Sequence, residues 1–197
     1  MLGELFTAIT QQQVIELHYH IFADSNNVKK AILHPYLLKE YNRRWYLIAA
    51  ASDTGKLLNF SLDRIDKVVP LPSYKYVPCD GDLNERFEDI IGVTLYDDRH
   101  LQTILFWVSD VSKDFVNTKP LHESLRHFRG EKEETLRQQY PMLEGGCFFS
   151  IDCIDNYELI RELTSFGKDL IVLSPEDIQK KVRDRVELQF KAYKSLL

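Results

Sequence analysis

Tyr36, Arg44, Tyr46 and Arg64 have the side-chain chemistry to hold an anion. A guanidinium offers a planar fork to carboxylate or phosphate and also stacks on rings. A base stacked on an aromatic side chain contributes about 1–3 kcal/mol. Arg44 and Tyr46 sit two apart in RRWYLIAAAS, residues 43–52, so on a strand they share one face. Arg43, Trp45 and Leu47 share the other. His34 and Tyr36 have the same spacing one strand earlier, and in NFSLDRI Phe60, Leu62 and Arg64 alternate with Ser61, Asp63 and Ile65. A barrel of these strands brings Tyr36, Arg44, Tyr46 and Arg64 towards one surface if the register allows it. The plainer reading gives Trp45 and Leu47 to the core and pairs Arg64 with Asp63, worth about 0–1 kcal/mol if exposed. For Arg44 and Arg64 both readings stand.

Other chemistry is harder to find. The eight glycines form no phosphate-cradling motif, and there is no G-x-S-x-G elbow or H-E-x-x-H. No nucleophile–base pair marks a catalytic residue. Cys79, Cys147 and Cys153 form no C-x-x-C pair, and their odd, wide spacing argues against a disulfide framework and for a reducing cytoplasm. His18 and His20 project from one strand face and, with His34, suggest a three-histidine metal site. A polar hairpin face explains them without metal, and neither a metal nor a cofactor is expected.

The elements that must position these residues follow from the hydrophobic pattern. A short amphipathic segment with Leu5, Phe6, Ile9 and Gln13 at helical spacing opens the chain. Strands follow in VIELHYHIF, VKKAILHPYLLKEYN, RRWYLIAAAS, LLNFSLDRI and DKVVPL, with turns at DSNN and DTGK and an edge or bulge at Pro35. Five short strands with tight turns describe a small barrel. A Pro-, Gly- and acid-rich linker follows from Pro70. Beyond it the order is β-α-β-β-α-β plus a long final helix, the ferredoxin-like plan. Asp110, Asn156 and Pro175 sit at helix starts and Gly167 just past a helix end. EKEETLRQQYPMLEGG reads as a solvated insertion. The expected class is α+β, with a barrel unit over 1–78 and a linker and second unit over 79–197.

Charge separates the halves. Residues 1–80 hold nine Lys/Arg against eight Asp/Glu, leaving 16 against 22 beyond, within a net charge of −5. The acidic back half is a poor platform for a phosphate backbone. No apolar run suits a bilayer, so no membrane is expected.

HPYLLKEYNRRWYLIAAAS followed by FSLDRI resembles the WYL domain, named for the tripeptide Trp45-Tyr46-Leu47. FVNTKPLHES, FSIDCIDNYELIRELTSFGKDLIVLSP and the closing helix resemble the C-terminal extension that accompanies such domains. The resemblance runs from about Val14 to about Arg185. It implies a small Sm-like, SH3-type barrel followed by an α/β extension, in a bacterial transcriptional regulator that commonly dimerises. In such proteins a helix-turn-helix binds DNA and the barrel is thought to sense a nucleotide-like or nucleic-acid ligand. Carried over by position, the ligand residues are Tyr36, Arg44, Tyr46 and Arg64, with His34, and the motif residues Trp45, Leu47 and Phe60. Ahead of residue 14 there is no room for a helix-turn-helix, so this is expected to be the sensor portion of a longer regulator or a stand-alone form. Leu57, Leu58 and Ser61 occupy places often basic in the family, which thins the positive face. The expectation is a sensing and dimerisation module. Its alternatives are a barrel binding single-stranded nucleic acid directly, and a purely structural dimeriser.

Overall fold

The computed structural model describes residues 1–22, 24–96 and 98–196, with the backbone alone for Ser25 and Asn26. They divide into two compact units: Met1–Phe87 with Gly92–Leu95, and Glu88–Ile91 with the residues from Tyr96 on. No helix among the described residues is long and apolar enough to cross a membrane.

The first unit opens with α1 (Leu2–Thr10), then β1 (Ile15–Ile21), β2 (Asp24–Tyr41), β3 (Arg44–Ala51), β4 (Leu57–Ser61) and β5 (Ile65–Pro70). The strands form one antiparallel sheet in the order β4-β3-β2-β1-β5. β2 is long enough to serve two neighbours. Leu33 pairs with Ile15 of β1 and with Ala51 of β3, and the ladder to β3 slips between Pro35 and Leu37. Proline has no N–H to give, so the bulge anticipated at Pro35 falls there. The turn expected at DSNN is instead strand, since Asp24 already pairs with Ile21. Residue 23, between them, lies outside the described residues.

The expected closed barrel is an open sheet. Among the described residues no ladder joins β4 to β5. The reason is local: β4 stops at Ser61 and Leu62–Arg64 winds a single 3₁₀ turn, where the sequence suggested a continuous strand. β5 then pairs with β1 alone. Leu17, Leu33, Leu47, Ala49 and Phe60 form the core under α1, which contributes Leu5 and Ala8. Trp45, expected in that core with Leu47, is 45% exposed. Its parity matches Leu47, but it lies opposite Glu40 near the hairpin tip, where the strand has run past the core. Arg43 is not on that face either. It shares the turn with Asn42, both at positive φ (64° and 49°), as a two-residue hairpin of this twist requires.

The second unit contains β6 (Leu101–Val108), α3 (Lys113–Thr118), β7 (Arg126–His127), α4 (Glu131–Gln139), β8 (Cys147–Ile154), α5 (Tyr157–Ser165), β9 (Leu170–Ser174) and α6 (Glu176–Lys194); α2 (Leu83–Glu88) precedes them. Its sheet runs β7-β8-β6-β9, antiparallel throughout. The segment read as a solvated insertion carries α4. Phe106 and Phe149 stack across β6 and β8 with centroids 6.0 Å apart. Asn156 caps α5 by accepting the Leu159 amide, and Gly167 follows its end at φ 58°. Asp110 does not cap α3, which starts after Ser112; Asp110 holds the Lys113 ammonium instead. Pro175 occupies the cap of α6, one place before the expected first helical position.

Candidate functional site

The 3₁₀ turn between β4 and β5 aims Arg64 back at β1. Its Nε donates to the His20 carbonyl at 2.9 Å, which fixes the guanidinium close to the β1–β2 turn. There its carbon stands 5.4 Å from the ring of Phe22, and that of Arg44, arriving from β3, stands at the same distance. Phe22 is 62% exposed. A cation over an exposed ring gains about 0.5–1 kcal/mol. Asp63 stands 3.4 Å from Arg44 Nε and accepts the Ser61 hydroxyl. Two guanidiniums at one aromatic ring, with a half-exposed carboxylate beside Arg44, suit an anion with a flat portion.

His34 and Tyr36 belong to a different place. Burial lowers the His34 pKa, and its Nδ1 accepts the Val77 amide at 3.1 Å. Tyr36 donates its hydroxyl to the Val77 carbonyl at 3.0 Å, and Tyr76 donates to the Pro35 carbonyl at 2.8 Å. These contacts lay the segment after β5 along the bulge of β2, beside a cavity of about 290 Å³ lined by His34, Tyr36, Ala50, Leu57, Cys79 and Arg86 among others. Burial, then the Cys79 thiol, raises the Tyr36 pKa. Burial, then Tyr36 and Cys79, pushes Tyr76 up to about 12. Burial also raises the Cys79 thiol.

The set named from sequence therefore divides: Arg44 with Arg64, and His34 with Tyr36. Tyr46 is half-buried between Lys39 and Ser61 in the ladders, and among the described residues it makes no ring contact with Phe22 or Tyr76. Leu47 and Phe60 are core. The three histidines are held by separate partners: His18 by Glu16 at 2.6 Å, His20 by Asp66 at 3.1 Å, His34 by Val77. Among the described residues no group of three or more His, Cys, Asp or Glu is placed to hold a metal. Phe22 and Tyr76 were not singled out in the sequence. The only signal for Tyr76 was the aromatic pair in YKY inside what read as a linker.

The WYL domain model matches residues 1–70 and the WCX domain model residues 116–188. The chain carries a WYL domain followed by a WCX domain. Phe22, Arg44, Asp63 and Arg64 all lie within the WYL match, whereas Tyr76, Cys79 and Arg86 fall between the two domains. Among solved structures, proteasome accessory factor B/C (PafBC) of Arthrobacter aurescens is similar at 16% identity and a TM-score of 0.40, over 94% of this chain and 26% of that one. A CRISPR Cas-related protein is similar at 12% identity and a TM-score of 0.55, over 98% of this chain and 52% of that one. The second is a likeness of fold. The WYL–WCX chain thus spans about a quarter and about half of their lengths. No curated protein matches it.

Proposed function

We propose that this chain is the ligand-sensing and dimerisation part of a bacterial transcriptional regulator, and that an anionic, nucleotide-like ligand binds at Arg44 and Arg64 over Phe22. The observation that carries the reading is the convergence of two guanidiniums on one exposed ring inside the WYL domain. The strand orders β4-β3-β2-β1-β5 and β7-β8-β6-β9 support an Sm-like, SH3-type first domain and a ferredoxin-like second one. Neither matched family is a catalytic one, in keeping with a binding role. The protein acts as a homodimer, with DNA contacted through a separate helix-turn-helix. A ligand controls such a switch only through different affinity for its two states. Calorimetric titration of nucleotides and short single-stranded oligonucleotides tests the site. Arg64→Ala is expected to weaken binding at least about tenfold; equal binding by wild type and variant, or binding by neither, overturns the assignment.

A second reading takes the ligand to be single-stranded nucleic acid bound along the sheet. Phe22 and Trp45, both exposed and both beside arginine in space or sequence, are the observation in its favour. Affinity for an oligonucleotide then falls steeply with salt. A flat salt response removes this reading and leaves the first.

A further inference from the structure

The cavity beside the β2 bulge carries groups that the arginine pair does not use. His34 is only 6% exposed and lines the cavity. Because its Nδ1 accepts the Val77 amide, the neutral ring carries its proton on Nε2. That Nε2–H has no partner among the described residues. Asp80 and Arg86 line the same cavity, and both are exposed. Among the described residues neither the carboxylate nor the guanidinium has an ion-pair or hydrogen-bond partner, and they do not pair with each other. Arg86 favours the Cys79 thiolate and Asp80 opposes it, and all three residues line the cavity. Ala50, Leu57 and Pro78 supply apolar wall.

An unpaired cation and an unpaired anion at one small cavity select against singly charged ligands. A lone anion meets Asp80, a lone cation meets Arg86, and a neutral molecule satisfies neither. A zwitterion satisfies both. At about 290 Å³ the space is at the small end for ligand pockets, which run roughly from 300 Å³ upward, and favours a small ligand. We propose that this cavity binds a small zwitterion of the α-amino-acid type, its carboxylate taken by Arg86 and the His34 Nε2–H, its ammonium by Asp80, and its side chain lying on Ala50, Leu57 and Pro78. His34, Ala50 and Leu57 lie within the WYL match and Pro78, Asp80 and Arg86 beyond it, so the cavity is shared between the WYL domain and the segment that follows it. It is independent of the arginine pair.

The test is calorimetry of the full chain with the standard L-amino acids, each beside its carboxamide and its N-acetyl form. At least one free amino acid binds with a Kd below about 1 mM. Its carboxamide, and the Arg86→Gln protein, lose at least about tenfold in affinity; so do its N-acetyl form and the Asp80→Asn protein. Because Arg86 and Asp80 are exposed, both variants keep the wild-type thermal midpoint, which is checked alongside. Arg64→Ala leaves amino-acid binding unchanged, so the two sites fail separately. Absence of any binding below about 1 mM, or binding that survives blocking of either charge, overturns the proposal.

Discussion

Tyr36 and Tyr76 each tie down the backbone beside the other: Tyr36 donates to the carbonyl of Val77, and Tyr76 to the carbonyl of Pro35. Their rings meet edge-on with centroids 6.0 Å apart. The exchange matters because residues 75–79 make no backbone–backbone hydrogen bond among the described residues. The segment is held by side chains alone, and two of those side chains are these phenols.

Replacing either phenol by phenylalanine removes one such bond and leaves a carbonyl without its donor. Tyr36→Phe and Tyr76→Phe are each expected to lower stability by about 0.5–1.5 kcal/mol in urea unfolding. The double variant loses less than the sum, because both groups hold one segment. Hydrogen exchange of the Val77 amide speeds up while that of β1 does not. Burial also holds the Tyr76 phenol protonated until pH about 12. Ultraviolet titration of Tyr76→Phe should therefore lose a late-ionising phenol that the wild type shows, while Tyr36, also raised by burial, remains.

His34 gives the same contact a pH dependence. Burial lowers its pKa, and only the neutral ring has a lone pair at Nδ1 for the Val77 amide. The groups around it, Tyr36, Tyr76 and the Cys79 thiol, are uncharged at neutral pH, while Asp80 and Arg86 line the same cavity as charged groups. With the folded-state value depressed, docking is complete above the ordinary histidine value of about 6.5 and fades as pH falls below it. His34→Asn keeps a carbonyl acceptor that does not titrate. Protection of the Val77 amide should decline with acid in the wild type, beyond the trend shared by other amides, and stay level in the variant. Parallel curves for the two proteins between pH 7.5 and 5 would sink the idea.

In the second unit, Gly146 stands where no side chain fits. Its φ is 60°, and an added Cβ would lie 2.2 Å from the Val108 carbonyl and 2.7 Å from the Trp107 indole. The turn cannot simply move away. Arg137 of α4 donates to the carbonyls of Gly145 and Gly146 at 2.9 and 2.8 Å, and Trp107 Nε1 donates to Gly145 at 3.1 Å. Gly146→Ala is expected to cost about 2 kcal/mol or more, from left-handed strain and overpacking together. Gly167, also at positive φ (58°) just past α5 but with open space around its Cβ position, provides the control. Its alanine variant loses only the strain, and urea midpoints separate the two.

What the sequence made legible was local. Alternation in RRWYL placed Leu47 inward, Pro35 announced an edge or a bulge, and Asn156 announced α5. Each depends on chemistry within a few residues. Trp45 failed because parity names a face without saying how far the core extends along it. The barrel failed at Leu62–Arg64, where an alternating pattern hid a 3₁₀ turn. The site divided for a similar reason. Whether Arg44 meets Arg64 or Tyr36 depends on Phe22 and Tyr76, which come from the β1–β2 turn and from 41 residues past Pro35. No periodicity connects residues so far apart.

Asp63 bears on the arginine pair with a definite sign. Its carboxylate faces Arg44 at 3.4 Å and is tied to the Ser61 hydroxyl, so it is the anion an incoming ligand must displace. Both partners of that ion pair are about half exposed, and such a pair contributes roughly 0.2–1 kcal/mol. Asp63→Asn keeps an acceptor for Ser61 and removes the competing charge. Affinity for a nucleotide should therefore rise by up to about fivefold, as 1 kcal/mol implies. The gain should shrink at high salt, where the exposed charges are screened. Titration of wild type, Asp63→Asn and Asp63→Asn/Arg44→Ala separates the causes, because the gain must vanish once Arg44 is gone. An Asp63→Asn protein that binds more weakly than wild type would mean that the carboxylate orders the arginines instead of competing for them.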